Sequence, residues 1–365
     1  MKKIYSLLSV ALLLAACSDN SSSANEEAEN TPSTQESKVL IFGSDYTTGE
    51  LYFSDSESSL QFNQDSKVIA TENGIYILER YGADNVVKIE EEKENYKVKW
   101  QVALNDAANP SDIVEGNKST IWVSQESGDS LLQMDSKTGK ILEYINIEQF
   151  KHKDGLYANA VDLEILGDTL FVLIQRYTFD SETFSTAYPS SGIVAMYSTD
   201  SKKLLDTISL KTKNPQKMKF AGKDLYVASQ GPYNESYGTD ADSLRGIEKI
   251  DLKKLKSKIL VSGKELGGGV YNFVVDSENN LGYVTIYHSF GDVPLKQINL
   301  EDGSIETIEG IADAEGGLAF DNANNTLYIG DRTYGNEKVY TWQNDSLETL
   351  DYQGTLPPYN MAVLN

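Results

Sequence analysis

Beyond its first residues, the chain alternates short apolar runs, rich in Val, Ile, Leu and Tyr, with clusters of Gly, Asn, Asp and Ser. Branched and aromatic side chains fit a pleated surface and small polar residues supply turns, so the pattern predicts strands of about five residues rather than helices. Residues 109–147 show the unit most clearly. Asp112-Ile113-Val114-Glu115, Thr120-Ile121-Trp122-Val123-Ser124-Gln125, Leu131-Leu132-Gln133-Met134-Asp135 and 141–147 are four strands, the last two joined by the hairpin Ser136-Lys137-Thr138-Gly139.

The unit repeats. Its second strand carries an aromatic inside an apolar triplet: Ile75-Tyr76-Ile77, Ile121-Trp122-Val123, Leu170-Phe171-Val172, Leu225-Tyr226-Val227, Gly282-Tyr283-Val284 and Leu327-Tyr328-Ile329, with Val39-Leu40-Ile41 as a seventh. Four-strand meanders recurring about every fifty residues predict a β-propeller, because one small sheet can bury its faces only against neighbouring sheets. The ends set the blade count. The folded part begins at Lys38 with a second strand, and residues 357–364 match a first strand and then stop. The fold class read here is all-β, a seven-bladed β-propeller over 38–365, its ring closed when the C-terminal strand joins the N-terminal blade. Met361 and Val363 are then expected beside 39–42, leaving no open edge.

Composition changes this picture at the start of the chain. Lys2-Lys3 precede an apolar run to Ala16, too short to span a membrane and of signal-peptide length. Leu14-Ala15-Ala16-Cys17 resembles a bacterial lipobox, which implies that 1–16 is a lipoprotein signal peptide and that Cys17 receives a diacylglycerol. With Ser18 next, the resemblance favours the outer membrane. Residues 18–37 lack large apolar side chains and read as a disordered tether, so 17–37 forms a lipid-anchored linker in the cell envelope. Cys17 is the single cysteine, which rules out an internal disulfide. A net charge of −23 repels phosphates and anionic headgroups and excludes nucleic acid as a partner.

Leu281-Gly282-Tyr283-Val284-Thr285 and Leu225-Tyr226-Val227-Ala228-Ser229 resemble the repeats of YncE-like, YVTN-type seven-bladed propellers, over residues 38–365. That superfamily includes quinoprotein-like, lactonase-like and purely binding members, so the resemblance implies a fold rather than a chemistry. A second resemblance, carried by the lipobox and Gln61-Phe62-Asn63-Gln64-Asp65-Ser66, is to surface propeller lipoproteins that capture corrinoids for an outer-membrane transporter.

Catalytic signatures are scarce. His152 and His288 are the only histidines, and HExxH and GxSxG are both missing. Gly267-Gly268-Gly269 precedes a strand pattern and reads as a blade-to-blade turn. Asp276-Ser277-Glu278-Asn279-Asn280 lacks the glycine and glutamate of a calcium loop and reads, with 321–325, as a hairpin turn. Alignment of the first strands puts Lys67, Asp112, Asp162, Lys217, Asn272, Gly317 and Asn360 around the channel. Lactonase-like propellers hold a divalent cation near this level, but the two lysines oppose one and can pair with the two aspartates. Loops joining strands two and three share a face with the loops that lead into strand one. Three of them, 176–191, 231–245 and 287–294, are long and aromatic, and 151–159 joins them with His152 and Tyr157.

The expected site is therefore a rim of Tyr177, Tyr188, Tyr233, Tyr237, His288 and Phe290 over a floor of Asp162, Lys217 and Asn272. The function read from these features is an envelope lipoprotein, membrane-bound through Cys17, whose propeller binds a small molecule or partner protein without catalysis or cofactor. The alternatives are a metal-dependent lactonase- or lyase-like enzyme, a corrinoid-capturing lipoprotein working with an outer-membrane transporter, and a scaffold within an envelope complex.

Overall fold

The structure, a computed structural model, describes residues 37–364 apart from 94 and 106. The expectations for the signal peptide, Cys17 and most of the tether fall on residues outside those described.

Seven antiparallel four-stranded sheets make up the propeller. Blades two to seven follow in chain order. They begin with the strands Ser66–Thr71, Pro110–Gly116, Ala160–Leu166, Pro215–Ala221, Gly269–Asp276 and Leu318–Asp321, and each first strand pairs with the second strand that follows it. Blade one comes from both ends of the chain. Its strands Lys38–Ser44, Gly49–Phe53 and Ser56–Phe62 are completed by Pro358–Leu364. The register sets Val39 against Val363, Ile41 against Met361 and Lys38 against Leu364, the closure expected from the sequence.

The recurring aromatic has a physical reason. Buried apolar residues form a cluster at each of the seven blade interfaces. Each marker residue of a second strand packs onto the next blade: Tyr76 with Ile113 and Ile121, Trp122 with Leu163 and Val172, Phe171 with Met218, Tyr226 with Phe273, and Tyr283 with Leu318 and Leu327. Tyr328 packs against Val39 and Met361, and Leu40 against Val68 and Ile77. Burying such a side chain contributes about 1.5–3 kcal/mol, so the motif is the glue between sheets that cannot stand alone.

The turns follow their chemistry. Oδ1 of Asp276 accepts the N–H groups of Glu278 and Asn279, each at 3.0 Å, and Asn280 sits at φ 54°. Residues 321–325 repeat the arrangement. Gly267, at φ 88°, ends a one-turn helix, Gly263–Leu266, whose start is closed by Ser262 and Glu265 bonding each other's backbone N–H. The insertion of blade four carries its own hairpin, Thr178–Asp180 with Ser185–Ala187.

Candidate functional site

The seven first strands run side by side around the axis, and their polar positions fasten the ring. Asp112 Oδ2 accepts the N–H of Leu163 at 2.9 Å, Asp162 Oδ2 that of Met218 at 2.7 Å, and Asn360 Oδ1 that of Val68 at 2.8 Å. In each case the acceptor lies on one blade and the donor one residue past the equivalent position on the next. Gly317 stands at this level on blade seven. Its φ of 95° and an Asn360 Cα only 2.8 Å from where a Cβ would lie leave no room for a side chain.

The two lysines of the ring behave differently. Lys217 Nζ donates to Oδ1 of the fully buried Asp162 at 2.7 Å. Burial works against its charge, but Asp162 and Asp112 outweigh it and the ammonium is held above its ordinary range. Lys67 makes no such pair among the described residues; its Nζ donates to the Ser111 carbonyl at 3.2 Å. Burial, with Arg80 and Lys217 nearby, pushes Lys67 down to about 7, while burial and the Asp162 charge push Asp112 up to about 7.

A cavity of about 670 Å³ runs along the axis through this ring, its lining continuing past the ring to Ala70, Lys219, Val274 and Ala362; its size is within the range of small-molecule sites. Tyr81, Tyr177, Tyr188, Tyr233, Tyr271 and Tyr359 wall it, and Lys67, Asp112, Lys217, Lys219 and Asn272 line its depth. Tyr177 and Tyr188 meet edge to face at 6.0 Å between ring centres, and Tyr233 meets Tyr287 in the same way at 6.1 Å. Burial raises the hydroxyls of Tyr177 and Tyr188 well above their ordinary value and that of Tyr233 to about 12, so all three remain protonated at neutral pH.

A second polar tier follows the ends of the second strands. Arg80 Nη2 donates to Glu126 Oε2 at 2.8 Å, Asn109 Nδ2 donates to the same oxygen at 3.0 Å, and the Tyr177 hydroxyl donates to Glu126 Oε1 at 3.2 Å. Gln230 Oε1 accepts from the Tyr233 hydroxyl and from Gln216 Nε2, each at 3.1 Å. Gln175 Nε2 donates to Asn214 Oδ1 at 2.9 Å. Sequence reasoning missed this tier. The signal was present in register: Arg80, Glu126, Gln175 and Gln230 are each the first residue after a second strand.

Of the nine residues expected from the sequence, Lys217, Asn272, Tyr177, Tyr188 and Tyr233 line the cavity. Asp162 lies behind Lys217. Tyr237 and Phe290, 80% and 77% exposed, and His288 are not part of the lining. His288 belongs to a contact between insertions: its carbonyl accepts the Thr239 N–H at 3.2 Å, and its Nδ1 lies 3.3 Å from Asp292 Oδ2. The insertions of blades five and six thus brace each other, and the cavity wall takes Tyr233 from blade five and Tyr177, Phe179, Thr186 and Tyr188 from blade four. Among the described residues no three His, Cys, Asp or Glu side chains form a group able to hold a metal ion.

No family model matches the chain, and no curated protein matches it. Solved structures do. A protein from Lactobacillus plantarum superposes with a TM-score of 0.60 at 10% identity, over 90% of this chain and 99% of its own. A candidate 6-phosphogluconolactonase from Bacteroides uniformis gives 0.58 at 10% identity, over 90% and 99%. Apo AztD from Citrobacter koseri gives 0.51 at 13% identity, over 90% and 98%. At these identities the likeness is one of fold, and the chain is a seven-bladed β-propeller similar to proteins of diverse description.

Proposed function

We propose that the protein is a binding propeller that captures a small organic ligand in its axial cavity, and that it is held at a bacterial membrane by acylation of Cys17. The observation that carries the binding reading is the tyrosine-walled cavity with a polar ring inside it. Aromatic walls offer large contact area at low entropic cost, and the protonated hydroxyls supply orienting donors. Capture rather than turnover is favoured by the state of the ring carboxylates. Asp112 and Asp162 already accept backbone N–H groups of neighbouring blades, and Asp162 also holds Lys217. A divalent cation at this level would meet Lys67 and Lys217. Anchoring rests on the lipobox alone, and delivery of the ligand to an outer-membrane transporter fits that address. A thermal-shift screen of the purified protein against aromatic metabolites, sugars, corrinoids and divalent cations tests the reading. An organic ligand whose stabilisation disappears in Tyr188→Ala is the expected outcome; stabilisation by a divalent cation alone would favour a metal-dependent activity instead.

A further inference from the structure

We propose that the ligand is an organic acid, with its carboxylate or phosphate at Lys67 and Lys217 in the polar ring of the cavity and its ring or chain among Tyr177, Tyr188 and Tyr233. This rests on the reading of the cavity as a ligand site and adds the ligand's charge.

Four cationic side chains line the cavity of a chain whose net charge is −23: Lys67, Arg80, Lys217 and Lys219. Three are matched by carboxylates. Arg80 faces Glu126 at 2.8 Å, Lys217 faces Asp162 at 2.7 Å, and Lys219 is paired with Glu164. Lys67 is the exception. Among the described residues its partner is one backbone carbonyl, that of Ser111, whereas an ammonium carries three N–H donors. Lys67 is half-buried and faces the cavity, and two donors of other lining residues, Arg80 Nε and Gln230 Nε2, are buried without a hydrogen-bond partner. Buried donors without acceptors are costly, and an incoming anion supplies acceptors.

The charged groups around Lys67 bear on the same point. Arg80 and Lys217 press against its positive charge, while Glu126 and Asp112 only partly relieve it, so that burial leaves its ammonium near the middle of its titration at neutral pH. Asp112, itself pushed up to about 7, repels an anion less than an ordinary aspartate would. An anion beside Lys67 restores the full ammonium, and binding should therefore take up a proton.

Calorimetry on the purified full-length chain, with benzoate, phenyl phosphate, benzyl alcohol, benzylamine and inorganic phosphate as probes, tests this directly. The expected result is binding of benzoate or phenyl phosphate about tenfold tighter than that of benzyl alcohol or benzylamine. The heat should also vary with the ionisation enthalpy of the buffer, as proton uptake requires. Lys67→Met should bring the acid down to the affinity of the alcohol and leave the alcohol unchanged, and Lys67→Arg should keep the preference for the acid. Benzylamine or the alcohol binding as tightly as the acids overturns the proposal. So does a Lys67→Met chain that keeps the acid preference, or inorganic phosphate binding as tightly as phenyl phosphate. If none of the five probes binds and Tyr188→Ala changes no response in the metabolite screen, the cavity itself is not the ligand site and the underlying reading fails with it.

Discussion

Asn360 Oδ1 accepts the N–H of Val68 at 2.8 Å while Asn360 Nδ2 donates to the carbonyl of Ser66 at 2.7 Å. The last strand of the chain therefore completes blade one and, through one side chain, also grips blade two.

Asn360→Ala should strand both backbone groups and cost about 1–3 kcal/mol, read as a lower urea midpoint. Removal of residues 357–365 should do much more, because it takes away the innermost strand of blade one and bares the edge of Lys38–Ser44. A truncated chain that melts like the intact one would refute the closure.

Asp162 is fully buried and holds Lys217 Nζ and the Met218 N–H at once. Asp162→Ala should cost roughly 3–5 kcal/mol, since it leaves Lys217 without its counter-charge and Met218 without its acceptor. Combining Asp162→Asn with Lys217→Met should lose far less than the sum of the single changes. A double-mutant cycle by urea unfolding measures the difference, and additivity would contradict a coupled pair.

Stability should also depend on pH through the ring. An acid whose folded pKa lies above its unfolded value favours folding fully below about 4 and loses that contribution as pH rises through about 7, which is the case of Asp112. Asp112→Asn keeps an oxygen for the Leu163 N–H but does not titrate. Relative to the parent chain it should gain on the order of 1–2 kcal/mol between pH 4 and pH 7, as followed by melting at a series of pH values. Lys67, pushed down to about 7, works in the opposite sense at higher pH. Its contribution is present above its ordinary value and is lost as pH falls through about 7.

At the mouth, Tyr188→Ala should weaken a bound aromatic acid by about 2 kcal/mol with little effect on folding. Lys223→Ala and Asn324→Ala, in turns on the opposite face, should leave affinity unchanged. Losses confined to that opposite face in an alanine scan would remove the proposed site.

Cys17→Ser should move the protein from the detergent phase and the membrane fraction to the soluble one. Unchanged partitioning would exclude acylation as the anchor.

The repeat was readable before the structure because one aromatic per blade does the same work at every interface, and Tyr76, Trp122 and Phe171 each show it in the same register. Closure was readable for a related reason, since a first strand at 358–364 without its own second strand has to pair elsewhere. The axial ring could be aligned, but the roles of its members could not. Whether Lys67 pairs with Asp112 depends on how side chains settle between neighbouring blades, and it bonds Ser111 instead. Tyr237 shares its loop with Tyr233, which lines the cavity, and loop conformation alone separates the two, while the loop of Phe290 contributes nothing to the lining. Glu126 and Arg80 escaped notice because polar residues at the end of a strand look like ordinary turn chemistry until the axial cavity that both line gives them a common direction.

Lys38 and Leu364 are register partners at the far end of the innermost strand pair, on the face away from the tyrosine mouth. Anything grafted to either end of the folded chain leaves the mouth clear, which suits the domain to oriented immobilisation or reporter fusion. The same proximity permits circular permutation. A short linker from 364 to 38, with new termini opened between blades three and four, would rebuild all seven sheets from contiguous segments. Such a permutant keeps every side-chain contact but loses the clasp that joins the two ends, and its melting temperature would isolate what that clasp alone contributes.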